Sequence, residues 1–184
     1  QEHDIQLVIG SSEQLKIITD RVLPDPLTLW LKHDSGMHRM GLNDVDFQSA
    51  IRSLSTHGNI KQLRLMTHLA TADELDDPTS TTQVSCFDRS WRASGKALET
   101  SIANSAAVIR YPHTHRDWVR PGIMLYGCDP RAPQLIEAEP LALQAVMSLY
   151  ARVLRVQHIK SGESVGYGAT WRADKPSLIA TLGI

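Results

Sequence analysis

The chain has 184 residues, 42% hydrophobic and 21% charged, with a formal net charge of −1; this is an ordinary globular balance, with enough apolar content for a core and no excess of basic charge for nucleic acid or membrane surfaces. Every apolar stretch is broken well before the ~18 residues that a bilayer span needs, and no basic-then-apolar leader opens the chain, so a cytoplasmic location is the default. Cys86 and Cys128 form no C-x-x-C pair and read as free thiols of a reducing compartment, although two cysteines leave room for one bridge.

The first helical pattern opens at Ser11-Ser12-Glu13-Gln14, where Ser11 as N-cap with Gln14 three residues on is a capping-box arrangement. Leu15, Ile18 and Val22 then recur at helical spacing until Pro24 and Pro26. Leu27 to Lys32 is a short, near-continuous apolar run of the kind expected for a parallel strand covered on both faces. Asn43 can cap the next helix, whose stripe is Phe47, Ala50, Ile51 and Leu54, and Gly58-Asn59 stops it. Leu63 to Leu69 reads as strand again, and Val84, Phe87, Trp91 and Leu98 mark a third helix. Strands alternating with helices of this size are the mark of βα units and a parallel sheet.

After Gly127 the character changes. Pro130, Pro133 and Pro140 punctuate a linker-like stretch, and beyond Leu141 there are only β-like runs, Met147 to Val156 and Leu178 to Leu182, separated by turn sequences. The expected boundary is near Pro140, with an α/β half over 1–140 and the start of an all-β half over 141–184. No repeat of fixed period and no low-complexity tract is present.

Four positions fall where strands should end, the place where (β/α) barrels carry their chemistry. They are Lys32 with Arg39, His68, Asn104-Ser105, and Arg120. Arg120 sits inside the apolar run Asp117 to Gly127 and is followed by Pro121-Gly122. A guanidinium is seldom left in an interior without an acceptor, so either an acid such as Asp117 pairs with it at a strand edge or something anionic or electron-rich faces it. The nearby glycine lets main-chain N–H groups approach a ligand. His113-x-His115, without a cysteine or carboxylate cluster beside it, reads as a polar loop and not a metal site.

Three motifs together carry a resemblance: Lys32-His33-Asp34-Ser35-Gly36-Met37-His38-Arg39-Met40-Gly41, Asp117 to Gly127, and Gly166-Tyr167-Gly168-Ala169-Thr170-Trp171. In this order and spacing the chain resembles the alanine racemase family, pyridoxal-phosphate (PLP) enzymes that interconvert L- and D-alanine and supply D-alanine for peptidoglycan. The resemblance runs along nearly the whole chain. It implies part of a (β/α)8 TIM-type barrel followed by the start of an all-β C-terminal domain, in a protein that works as a homodimer.

Residue by residue, the resemblance places Arg120 against the pyridine nitrogen, with His68 hydrogen-bonding it from behind. A guanidinium only donates, so that nitrogen would stay unprotonated, favouring return of a proton to the same carbon over transamination. Ser105, with the backbone N–H groups of Gly122 and Ile123, would hold the phosphate; Ser105 also reads as part of a helix-capping Asn104-Ser105 pair, and the two readings are compatible. Arg39 would clamp the substrate carboxylate, a task that suits a forked donor. Lys32 reads as a snorkelling lysine or, by resemblance, as N6-carboxylysine, an anion able to orient the arginine. Tyr167 reads as a turn aromatic packing a hairpin or, by resemblance, as the base for the L-alanine proton, reaching the partner protomer's site with cations favouring its phenolate.

The match also has gaps. Lys16 and Lys96 fall on helices, Lys61 before its strand, and Lys160 and Lys175 in turns, so none looks like the family's Schiff-base lysine. Ser101 stands where relatives can carry a histidine. The chain begins at Gln1 and stops inside a strand-like run, and a full (β/α)8 barrel takes roughly 250 residues. The expectation is a piece of a longer alanine racemase holding one of the two bases that racemisation needs, and inactive alone. The alternatives are a related barrel racemase acting on serine or another small amino acid, or a non-catalytic piece that only binds PLP or dimerises.

Overall fold

Strand and helix alternate in the order that the apolar pattern predicts, in a computed structural model that describes residues 5–184. The elements are β1 (Leu7–Ile9), α1 (Ser12–Thr19), β2 (Leu27–Lys32), α2 (Asp44–Leu54), β3 (Ile60–Met66), α3 (Thr79–Ala93), β4 (Thr100–Ser101), α4 (Ser105–Arg110) and α5 (Pro133–Ala138), then β5 (Arg152–Ile159), β6 (Ser164–Val165), β7 (Trp171–Arg172) and β8 (Ser177–Gly183). They form two compact units that divide between Val146 and Met147. The proline-marked boundary at Pro140 lies just ahead of this division, and the Val146 N–H still donates to Tyr126 O, 3.3 Å away, in the first unit.

In the first unit β1, β2, β3 and β4 lie side by side in sequence order, all parallel. A parallel bridge from Ser101 to Trp118 continues the sheet past β4. Alternation along the strands sorts side chains onto two faces. Leu29, Leu31, Leu63 and Leu65 are buried on the helix side, in one cluster with Phe47, Ile51 and Leu54 of α2 and Phe87 of α3. The other face carries polar and aromatic groups. There the Arg64 guanidinium lies 4.5 Å from the Trp118 ring centroid and 5.4 Å from that of Trp30, and its Nε is 2.7 Å from Glu99 Oε2. Gln6 Oε1 accepts from both Arg64 (2.9 Å) and Trp30 Nε1 (2.7 Å). A guanidinium between aromatic faces, with a carboxylate at ion-pair distance and one hydrogen bond to Gln6, tolerates this buried position. An arc of parallel strands with helices on one face is the architecture of a partial (β/α) barrel followed, in the second unit, by β structure.

Several local expectations shift. Ser11 does cap α1 through the Gln14 N–H (3.2 Å), but Gln14 Oε1 accepts from Gly10 N, one residue further back than a capping box requires. The helix ends at Thr19, so Val22 is off its stripe and 95% exposed. Asn59 explains the early stop: its Nδ2 donates to the carbonyls of Ile18 and Arg21, both at 2.6 Å. β3 begins and ends three residues earlier than the apolar run suggests, which puts Lys61 inside it and leaves His68 in the turn beyond. Leu98 and Lys96 likewise fall past the end of α3. The proline-rich stretch holds the short helix α5, with Pro133 at a first-turn position where its missing N–H costs nothing.

In the second unit β5 pairs antiparallel with β8 and β6 with β7. The strand run expected from Met147 starts only at Arg152.

The helix-side core makes a direct test. Phe47 is fully buried against the His33 ring, 4.7 Å between centroids, so Phe47→Ala should cost about 3–5 kcal/mol in chemical denaturation of the chain. An unchanged midpoint would contradict the packing described.

Candidate active site

All the strand ends of the first unit point the same way because the strands are parallel, and the loops leaving them bring the singled-out residues together. Lys32 is the last residue of β2. The chain then folds back: Leu42 N–H donates to Lys32 O (2.9 Å) and Gly41 N–H to Gly10 O (3.0 Å). Gly41 is required there, since its φ is +142° and a Cβ would lie 2.6 Å from Asp34 N. Asp34 ties the loop from inside, its Oδ1 accepting from the N–H groups of Gly36 (3.1 Å) and His38 (3.0 Å). Arg39, exposed, is carried by this loop. Burial lowers the Lys32 pKa, and the positive charges of Arg39 and Arg120 lower it further against the opposing pull of Asp34.

Thr67, just past β3, joins the strand ends. Its hydroxyl donates to His33 O (3.0 Å) and lies 2.7 Å from Ser35 Oγ, while its carbonyl accepts from Arg120 Nη2 at 2.6 Å. Arg120 Nη1 donates to Ser101 Oγ, and Nη2 also reaches Ile102 O at 3.4 Å. Ser101 Oγ in turn donates to Trp118 O (2.8 Å), so its lone pairs are what it shows to the guanidinium. Every acceptor here is a neutral oxygen, and among the described residues no carboxylate forms an ion pair with Arg120. Asp117, the alternative partner, instead accepts from Thr100 N–H at 2.7 Å. Burial pushes the Arg120 pKa down to about 10, which still leaves it a cation near neutrality.

His68 lies beside Arg120 but shares no hydrogen bond with it among the described residues, contrary to the arrangement expected from the motif. The oxygens of Thr67, Ser101 and Ile102 take donors of both terminal nitrogens, whereas Nε makes no hydrogen bond among the described residues. Gln83, buried on α3, fixes the turn that bears His68, donating to His68 O (3.1 Å) and accepting from Ala70 N–H (2.8 Å). Burial first, then the charges of Arg120, Lys32 and Arg39, push the His68 pKa down to about 4.

Asn104 caps α4, accepting from Ala107 N–H at 3.1 Å. Ser105, which follows it, is buried, and its Oγ accepts from Gly122 N–H (2.7 Å) and Met124 N–H (3.4 Å). The Gly122 amide is therefore not free to meet a ligand, because the serine oxygen has claimed it. What remains is the Ser105 O–H itself, together with the amide of Ile123, which makes no hydrogen bond among the described residues. A Cβ on Gly122 would meet nothing nearer than Ser105 Oγ at 4.0 Å, so the space before the turn is open. His68, Ser105, Arg120, Gly122 and Ile123 all line one cavity of about 280 Å³, together with Asp73, Asn104 and Pro130. Two spare donors beside a buried cation suit a phosphate-bearing ligand, so the residues present fit the phosphate end of PLP. Sequence reasoning missed Thr67 and gave Ser101 no part; both act through contacts distant in sequence, Thr67 O and Ser101 Oγ accepting from Arg120 across 53 and 19 residues.

In the second unit Tyr167 opens a 3-10 turn between β6 and β7, flanked by Gly166 (φ +80°) and Gly168 (φ +70°), and its ring is fully exposed. It packs no hairpin; the glycines serve the left-handed backbone of the turn.

The His68 environment predicts a pH response. A folded-state pKa of about 4 is below the ~6.5 of an unfolded histidine, so between those values the unfolded chain binds more protons and stability rises with pH. NMR should place the His68 midpoint near 4, and His68→Gln should flatten the loss of stability on acidification through that window. A midpoint at the ordinary value would contradict the site.

Comparison with known proteins follows the same two units. The family described as alanine racemase, N-terminal domain, matches residues 1–130, and that described as alanine racemase, C-terminal domain, matches residues 146–184. A curated alanine racemase of Pseudomonas fluorescens is 43% identical over 183 residues, covering 100% of this chain and 50% of its own length. The crystal structure of biosynthetic alanine racemase from Pseudomonas aeruginosa superposes with a TM-score of 0.84 at 40% identity, covering 98% of this chain and 49% of that one. Alanine racemase from Bartonella henselae, with covalently bound pyridoxal phosphate, superposes with a TM-score of 0.73 at 25% identity, covering 100% of this chain and 50% of that one. The chain spans about half the length of the curated relatives it matches. With family matches over most of its length, on a fold that agrees with them, this chain belongs to the alanine racemase family.

Proposed function

We propose that the chain provides the arginine face, the phosphate cradle and one proton-transferring group of a PLP-dependent alanine racemase. The observation that carries this reading is Arg120: a half-buried cation fixed by neutral oxygens only, in the cavity that also holds the Ser105 hydroxyl. PLP, when bound, supplies an electron sink that acidifies the α-hydrogen of an attached amino acid. Arg120 can only donate to the ring nitrogen, which is thereby held without a proton; the weaker sink favours reprotonation of the α-carbon over side reactions. The Ser105 O–H and the Ile123 N–H donate to the phosphate, and Gly122 contributes by having no side chain. His68, uncharged near neutrality, borders the ligand without adding to the positive charge.

Arg39 receives the carboxylate of alanine, a planar acceptor matched to its fork. Lys32 stands beside Arg39 and Arg120; carbamylated on Nζ, it would turn a third cation into an anion that orients Arg39. Tyr167 moves a proton at the α-carbon, and its full exposure suits a ring offered to a partner protomer's site, as in a homodimer. None of the lysines lines the cavity, and in this reading the Schiff-base lysine and the second base are supplied from outside these residues. Free Cys86 and Cys128 accord with a reducing compartment, the cytoplasm.

Titration of the purified chain with PLP should show phosphate-dependent binding that Ser105→Ala weakens about 10–100-fold, the effect of losing one hydrogen bond to a charged group. Equal affinity for the two proteins would contradict the cradle. In a coupled assay for D-alanine, the chain alone should give no turnover of L-alanine; measurable racemisation would show that both bases are already present.

A further inference from the structure

We infer that His33, Asp44 and Cys86 form a binding site for a thiophilic divalent cation such as Zn2+, separate from the cavity lined by Arg120 and Ser105. A ring nitrogen of His33, a carboxylate oxygen of Asp44 and Cys86 Sγ lie within 4.8 Å of one another. They come from three elements of the first unit: His33 follows β2, Asp44 is the first residue of α2, and Cys86 is in the middle of α3.

His33 is the observation that a helix-packing role leaves unexplained. It is 1% exposed, between the rings of Phe47 and Phe87, whose centroids lie 4.7 and 6.1 Å away. Neither of its buried nitrogens has a hydrogen-bond partner of good geometry among the described residues. Nε2 is 2.9 Å from Asp44 Oδ1, an ion-pair distance without hydrogen-bond alignment. Orphaned polar atoms in an apolar setting cost free energy unless something satisfies them. A His–Asp pair alone would account for one nitrogen and leave the convergent thiol as coincidence.

The donor set selects the metal. Imidazole, thiolate and carboxylate suit Zn2+ and its neighbours, whereas Mg2+ and Ca2+ want oxygen alone. Bond lengths of about 2.0–2.3 Å place tetrahedral ligand atoms roughly 3–4 Å apart, so the three side chains need only small movements to close on an ion. Asp44 is solvent-exposed, which leaves the outer side open for a water as the fourth ligand. A metal here would clamp the end of β2 to α2 and α3, and with it the root of the loop that carries Arg39.

The test is Co2+ titration of the full 184-residue chain, followed by competition with Zn2+. One equivalent should give tetrahedral d–d bands and a near-ultraviolet thiolate-to-metal charge-transfer band, all displaced by Zn2+. Cys86→Ser, a near-isosteric change at a half-buried position, should abolish the charge-transfer band and weaken binding by more than the roughly tenfold that outer partners contribute. Cys128→Ser should leave the band in place, and Zn2+ should raise the melting temperature of the Cys128→Ser chain but not of the Cys86→Ser chain. Absence of a thiolate band in the unaltered chain, or its survival in Cys86→Ser, would overturn the site.

Discussion

A cation held by neutral oxygens organises this chain. Arg120 reaches back across the sheet end and donates to Thr67 O, Ser101 Oγ and Ile102 O, so the termini of β3 and β4 share one guanidinium. No carboxylate forms an ion pair with it among the described residues, and the other charges that act on neighbouring His68, those of Lys32 and Arg39, have the same sign. A site of that kind keeps its demand for electron density unmet until a ligand arrives. Burial first, and then the charge of Arg120 with those of Lys32 and Arg39, keep His68 uncharged near neutrality.

The rest of the first unit serves that placement. Leucines on one face of β2 and β3 bury against α2 and α3, and the period of two then fixes which residues face away from the helices. Trp30 and Lys32 alternate with Leu29 and Leu31, and Arg64 with Leu63 and Leu65. Below the strand ends, Arg64 lies near Trp30 and Trp118 and pairs with Glu99, beside the single bridge that joins Trp118 to Ser101 of β4 two residues before Arg120. Thr67 couples the layers: its hydroxyl holds the end of β2 and its carbonyl holds Arg120.

Much of this was legible in the sequence because it rests on periodicity and on short-range capping. The βα alternation, the α2 stripe and the caps at Ser11, Asn43 and Asn104 all follow from side-chain spacing and local hydrogen bonds. What was not legible depends on contacts distant in sequence. Asn59 ends α1 from beyond β2 and α2, which no local rule near Val22 could show. Ser105 captures the Gly122 amide across 17 residues, so the cradle has one main-chain donor fewer than the motif suggested. Arg120 donates to Thr67 O, Ser101 Oγ and Ile102 O and not to His68, contacts that its own short motif does not specify. The exposed ring of Tyr167 could not be told from a packed one, since glycines flank both kinds of turn.

The most direct measurement on Arg120 is the nitrogen-15 resonance of ring-labelled pyridoxal phosphate bound to the chain. A guanidinium facing the ring nitrogen requires a shift characteristic of an unprotonated, hydrogen-bonded pyridine throughout the neutral pH range, and Arg120→Glu should move it to that of a protonated ring. A protonated-ring signal in the unaltered chain would mean that Arg120 does not face that atom.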